Sequence, residues 1–170
     1  MINAAWDASD PDLESGTGAN LIEYTVAAEA NSGIDPDHLA TFVQELLADP
    51  RGWNADNRYT FRRVESGGLF TLTVATPATT DRLCAPLRTN GYFSCAANGW
   101  AALNLTRWTS AVDSWDQDIL EYRTYVANHE IGHHLGHGHV RCPSPGAFAP
   151  VMMQQTKGLD GCVGNGWPNP

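Results

Sequence analysis

Five of the six histidines of this 170-residue chain fall in one stretch: His129-Glu130-Ile131-Gly132-His133-His134-Leu135-Gly136-His137-Gly138-His139. Upstream of it, Trp115, Ile119, Tyr122, Val126, His129, His133 and Gly136 recur at alternating intervals of four and three. That spacing draws one stripe along a helix. It predicts a helix from about Ser114 to Leu135 whose apolar face runs into two side-by-side imidazoles.

Each element of the stretch has a chemical use. His129 and His133, four apart on one helical face, offer two neutral nitrogen ligands to a single metal ion. Gly136 can adopt the left-handed conformation that stops a helix and turns the chain. The turn lets His139 return as a third ligand. Three protein ligands leave one position open for water, which marks a catalytic rather than a structural zinc. Glu130, beside the first ligand, is placed to act as general base toward a water whose pKa zinc lowers to about 7. His134 and His137 lie off the 129/133 face and read as solvent-facing or supporting residues. Exchanging His137 for His139 as third ligand breaks the spacing. His38 reads as an ordinary surface residue. No Glu occurs after Val140, so an arrangement with a later Glu as third ligand is excluded.

Composition bounds the rest. Ten Lys and Arg against 19 Asp and Glu give a net charge of −9. This argues against nucleic acid and anionic membranes, which are bound mostly through Lys and Arg. No run approaches the length of a membrane span. The N-terminus has neither a basic region nor an apolar core of signal type, so any signal or anchor is absent from this chain. Four cysteines allow two disulfides in three connectivities; pairing of sequence neighbours gives Cys84–Cys95 and Cys142–Cys162. The alternative is four reduced, buried thiols. Disulfides place the protein outside the cytoplasm.

The remaining pattern is α+β. Residues 1–20 read as a loose lead-in, and residues 21–170 as a single domain. Leu21–Ala28, Tyr59–Val64, Leu69–Ala75, Tyr92–Cys95 and Trp100–Leu105 read as strands. Asp35 caps a helix that starts at Pro36, buries Leu39, Phe42, Val43, Leu46 and Leu47, and stops at Pro50. Thr76–Gly91 reads as a loop, and the chain after Gly136 as irregular. The expectation is a mixed, twisted sheet of about four to five strands with a backing helix and an active-site helix. Asn104-Leu105-Thr106 matches a glycosylation sequon by pattern alone.

At His129–His139 the chain resembles the metzincin clan of zinc metallopeptidases. The clan also has a tight turn with a Met beneath the metal. Ala149-Pro150-Val151-Met152-Met153-Gln154 resembles it, with Met152 as the Met-turn residue and Met153 as second choice. Segments 75–84, 135–143 and 149–156 are similar to an actinobacterial family of secreted domains of unknown function with a metallopeptidase assignment. The resemblance implies a Zn2+ cofactor on His129, His133 and His139, with Glu130 catalytic and Gly136 and Met152 structural. It implies a secreted or membrane-tethered endopeptidase, and a monomer, with substrate extended along an edge strand drawn from Tyr92–Cys95 or Trp100–Leu105. Two other outcomes fit the same residues: a zinc-binding cell-envelope protein that cuts nothing, and an amidase acting on cell-wall peptides. Gln154 and Gln155 stand where some clan members carry a zinc-ligating Tyr. Cys142–Cys162 could brace the Met-turn in place of the usual C-terminal helix. Asp7, Asp10 and Asp12 could belong to a propeptide that caps zinc.

Overall fold

Alternating side chains build a mixed sheet, and capped helices cover it. The computed structural model describes residues 1–5 and 14–170. In chain order the strands are β1 (Ile2–Ala5), β2 (Glu14–Ser15), β3 (Asn20–Glu29), β4 (Tyr59–Arg63), β5 (Phe70–Ala75), β6 (Cys95–Ala97) and β7 (Trp100–Asn104). The helices are α1 (Pro36–Ala48), α2 (Pro77–Cys84), α3 (Leu105–Ser110) and α4 (Ile119–His134). The strands form one seven-stranded sheet in the order β2-β4-β3-β5-β7-β6, with β1 also paired to β3. Strands β4, β3, β5 and β7 run parallel; β1, β2 and β6 are antiparallel to their neighbours.

The α+β class is as expected, but the sheet has seven strands rather than four to five. The first twenty residues, expected to be loose, supply two of them. Asp7, Asp10 and Asp12 lie outside the described residues.

The period of two sorts the side chains. Tyr24, Val26, Phe61, Phe70, Leu72, Val74, Ala101 and Leu103 form one buried face, and α1 and α4 pack on it. Asp35 caps α1 by accepting from the Asp37 and His38 amides at 2.9 and 3.3 Å. The predicted face is buried except for Phe42, which is partly buried and meets Trp108 edge-on. On the reverse face Ala102 packs with Cys84 and Cys95. There α2 crosses β6 and β7.

Three element boundaries differ from the sequence expectation. Thr76–Gly91 is not all loop: Pro77 opens α2, whose start is held by Glu29 of β3. The Glu29 carboxylate accepts from the Thr76 amide and the Thr79 hydroxyl, both at 2.6 Å. The strand expected at Tyr92–Cys95 is Cys95–Ala97. Asn98 and Gly99, at φ 53° and 78°, make the two-residue turn that pulls Ala97 opposite Trp100. Helix α4 starts at Ile119, where Asp118 accepts from the Glu121 amide at 2.8 Å. Asn104 is fully buried and caps α3, so its sequon is closed to glycosylation.

Both disulfides join sequence neighbours, Cys84–Cys95 and Cys142–Cys162. Together they indicate an oxidising environment. Among the described residues no helix is long and apolar enough to cross a membrane.

Candidate metal centre

The last turns of α4 carry the site. Tyr122, Val126 and His129 are buried, so that part of the stripe runs from the core into the imidazoles, whereas Ile119, expected on it, is exposed. The helix ends in a Schellman motif. The His137 amide donates to the Gly132 carbonyl at 2.9 Å, and the Gly136 amide to the His133 carbonyl at 3.0 Å. Gly136 sits at φ +91°, where any side chain would be strained. The reversal returns His139 to the helix.

His129, His133 and His139 converge through their Nε2 atoms. His139 Nε2 lies 3.3 Å from that of His129 and 3.0 Å from that of His133. His129 Nδ1 donates to the Val151 carbonyl at 2.8 Å, and His133 Nδ1 to the His137 carbonyl at 2.9 Å. A carbonyl only accepts, so both rings hold their proton on Nδ1 and present an Nε2 lone pair. A neutral His139 could donate to one of them at most. The other contact would set lone pair against lone pair. A cation between the three resolves the conflict, and a tetrahedral ion with bonds of about 2.0–2.1 Å requires nitrogens about 3.3 Å apart. The three side chains therefore fit a divalent metal ion.

Second partners fix the arrangement. The turn Pro150–Met153 closes with a 2.8 Å bond from the Met153 amide to the Pro150 carbonyl. Val140, next to His139, donates to the Met152 carbonyl at 3.2 Å, which ties the third ligand to that turn. Met152 belongs to the main core with Ile131 and Val126, whereas Met153 packs with Ala149 and Cys162. Met152 thus packs in the core beside Gly132 of the helix that carries His129 and His133. Gly132, between the two helical ligands, is required by close approach. A Cβ there would come within 2.6 Å of Trp53 Cζ2 and closer still to Met152 Sδ.

Glu130 is 5% exposed, and burial pushes its carboxyl up to about 8. Burial likewise pushes His129 down to about 3. Both shifts favour neutral groups in the metal-free protein. Glu130 nevertheless lines, with the three histidines and Tyr125, an open cavity of about 600 Å³.

The wall above the three histidines is the loop 85–94 together with β6. The Cys84–Cys95 disulfide closes its base. Asp81 accepts from the Thr89 hydroxyl and from the Gly91 amide, the latter at 2.8 Å. Those bonds, that from Thr89 first, hold its carboxyl below the usual range. Asn104 adds two more ties, its Nδ2 to the Gly91 carbonyl and its amide to Ser94 Oγ. Strand β6 ends the sheet and lines the cavity with Cys95 and Ala96, whereas Trp100–Asn104 lies inside the sheet. The edge is β6, which shares only Cys95 with the first of the two expected edges, and the second expected edge is not one.

His134 and His137 have supporting contacts. His134 stacks on Phe70 with centroids 5.1 Å apart, and burial lowers its pKa. His137 stacks on Trp53 at 4.6 Å while its carbonyl orients His133. Several contributors were not found from the sequence. Trp53 also donates to the Asn128 carbonyl of α4 at 3.1 Å. Gln155 is fully buried and exchanges hydrogen bonds with Asn165, which laces the Met-turn to the C-terminal tail. Trp53 meets α4 across 75 residues, and Gln155 pairs with an irregular segment ten residues on, so no periodic spacing announces either. Gln154 lines the cavity instead.

The chain belongs to the family described as "Protein of unknown function (DUF3152)", whose model matches residues 5–165. No curated protein and no solved structure matches the chain.

Proposed function

We propose that the protein is a zinc-dependent endopeptidase. The observation that carries this reading is the convergence of three imidazole Nε2 atoms beside a buried carboxylate in an open cavity bordered by a free strand edge. His129, His133 and His139 would hold the ion, and zinc suits an all-imidazole set with an open position. When bound, the ion supplies Lewis-acid polarisation and an acidified water.

The chain's own residues do the rest. Glu130 takes a proton at its carboxylate and delivers it to the leaving amine. A cation on the neighbouring His129 draws Glu130 toward its ionised form, which the protein alone disfavours. The outer edge of β6 pairs with an extended peptide by strand addition and sets the scissile bond over the histidines. The disulfide and the Asp81 bonds keep the loop above it from collapsing into the cavity.

A mixed peptide library incubated with the zinc-loaded protein tests the reading. Cleavage is expected at internal peptide bonds, is expected to stop on chelation and to return when zinc is restored. A protein that loads zinc and cleaves no peptide would point to a binding role. Cleavage confined to cell-wall peptides would point to the amidase.

A further inference from the structure

Lys157 is the sole lysine of the chain, and it lines the metal cavity. Its ammonium donates to Gln154 Oε1 at 3.0 Å and lies 5.5 Å from the centre of the Phe93 ring. Gln154 and Phe93 line the same cavity, so these contacts hold the solvent-exposed ammonium at the opening. Arg88, on the loop above the three histidines, is the second cation of the lining. The only acid in the lining is Glu130, which is buried.

This distribution runs against the rest of the molecule. Its net charge is −9. Arg51, Arg58 and Arg62 are paired with Asp49, Asp56, Glu14 and Glu23, whereas Arg82, Arg107, Arg123 and Arg141 form no ion pair among the described residues and lie outside the cavity lining. Among the described residues neither Lys157 nor Arg88 forms an ion pair. An acidic protein that sets its one lysine and an arginine without acidic partners around the cavity that holds the three histidines has the field to attract an anion there. The cavity carries backbone-binding edges and small polar groups beside the two cations, which suits a peptide carboxylate.

We propose that Lys157, assisted by Arg88, reads a carboxylate of the substrate. The site then selects peptides with an acidic side chain, or a free C-terminal carboxylate, close to the bond that is cut. The proposal rests on the peptide-hydrolysing reading above and names its substrate class.

Two measurements separate the two ideas. Because there is one lysine, the full chain grown with lysine labelled at the ε carbon gives one NMR signal at the site. Three peptides are titrated without added metal: an amidated peptide containing Glu, its Gln counterpart, and a neutral peptide with a free C-terminus. The Glu peptide, the free C-terminus, or both should move the signal saturably, and the amidated Gln peptide should not. Which of the two acts tells a side-chain from a terminal carboxylate. In the zinc-loaded enzyme, kcat/KM should favour the carboxylate peptide by about tenfold, the range of one charged hydrogen bond. That ratio should fall to near one in Lys157→Met and return in Lys157→Arg. A Lys157 signal that answers the carboxylate in a protein that cuts nothing rejects the peptidase and keeps the carboxylate site. An active peptidase in which neither the Glu peptide nor the free C-terminus moves the Lys157 signal or raises the rate above the amidated Gln peptide overturns the carboxylate site alone.

Discussion

Glu130→Gln is expected to lower peptide hydrolysis by about 10²–10⁴-fold, the range of a positioned general base, while zinc stays bound. The substitution is nearly isosteric and falls on a residue that holds none of the three ligands. His129 and His133 keep their Nδ1 bonds to Val151 and His137, so the geometry that receives the ion is untouched. The amide cannot accept and return a proton, so only the transfer is lost. Turnover by the variant and its zinc content, measured on the same sample, check this. Normal turnover with zinc present would remove Glu130 from the mechanism.

The metal-free protein should be most stable between about pH 4.5 and 6.5, and weaken on both sides. The acid limb comes from His129. Its pKa is about 3 when folded and 6.5 ordinarily, so below pH 6.5 the unfolded chain gains a proton that the folded chain refuses. Stability drains as pH falls through that window. His134 and His139 are shifted in the same direction, each first by burial. The alkaline limb comes from Glu130, at about 8 folded and 4.5 ordinarily. Above pH 4.5 the unfolded chain releases a proton that the folded chain keeps, so stability is lost as pH rises toward 8. Each limb amounts to a few kcal/mol by the conversion of about 1.4 kcal/mol per pKa unit. Zinc should restore the alkaline side by favouring the Glu130 carboxylate, with close to one proton released per ion at neutral pH. Denaturant melts across pH, with and without zinc, measure the limbs. Titration calorimetry in buffers of different ionisation enthalpy counts the proton. In Glu130→Gln the alkaline limb and the released proton should both vanish; their persistence would assign them to another group.

Most of the site was legible in the sequence because helical geometry is local. The interval from His129 to His133 fixes two nitrogens on one face, and Gly136 announces the reversal that returns His139. The α1 cap at Asp35 was readable for the same reason. What escaped depends on residues far apart in the chain. Helix α2 is held at its start by Glu29, across 47 residues from Thr76. Thr76 followed by Pro77 is a start signal, but Pro77–Cys84 carries too few apolar residues to draw a helical stripe, and the segment read as a loop. The strand β6 shifted because Asn98 and Gly99 fix the hairpin register more tightly than the aromatic pair Tyr92-Phe93 marks a strand. Trp53 supports the centre from across 75 residues. The Asp118-to-Glu121 spacing, by contrast, was a readable start signal for α4 that the longer apolar stripe had obscured.

X-ray absorption on the zinc-loaded protein tests the metal centre most directly. One zinc per chain is expected, with three imidazole nitrogens and one oxygen at about 2.0–2.1 Å, and one imidazole fewer in His139→Ala. A chain that fails to take up zinc when its disulfides are intact, or zinc held by fewer than three imidazoles in the wild type, would contradict the account.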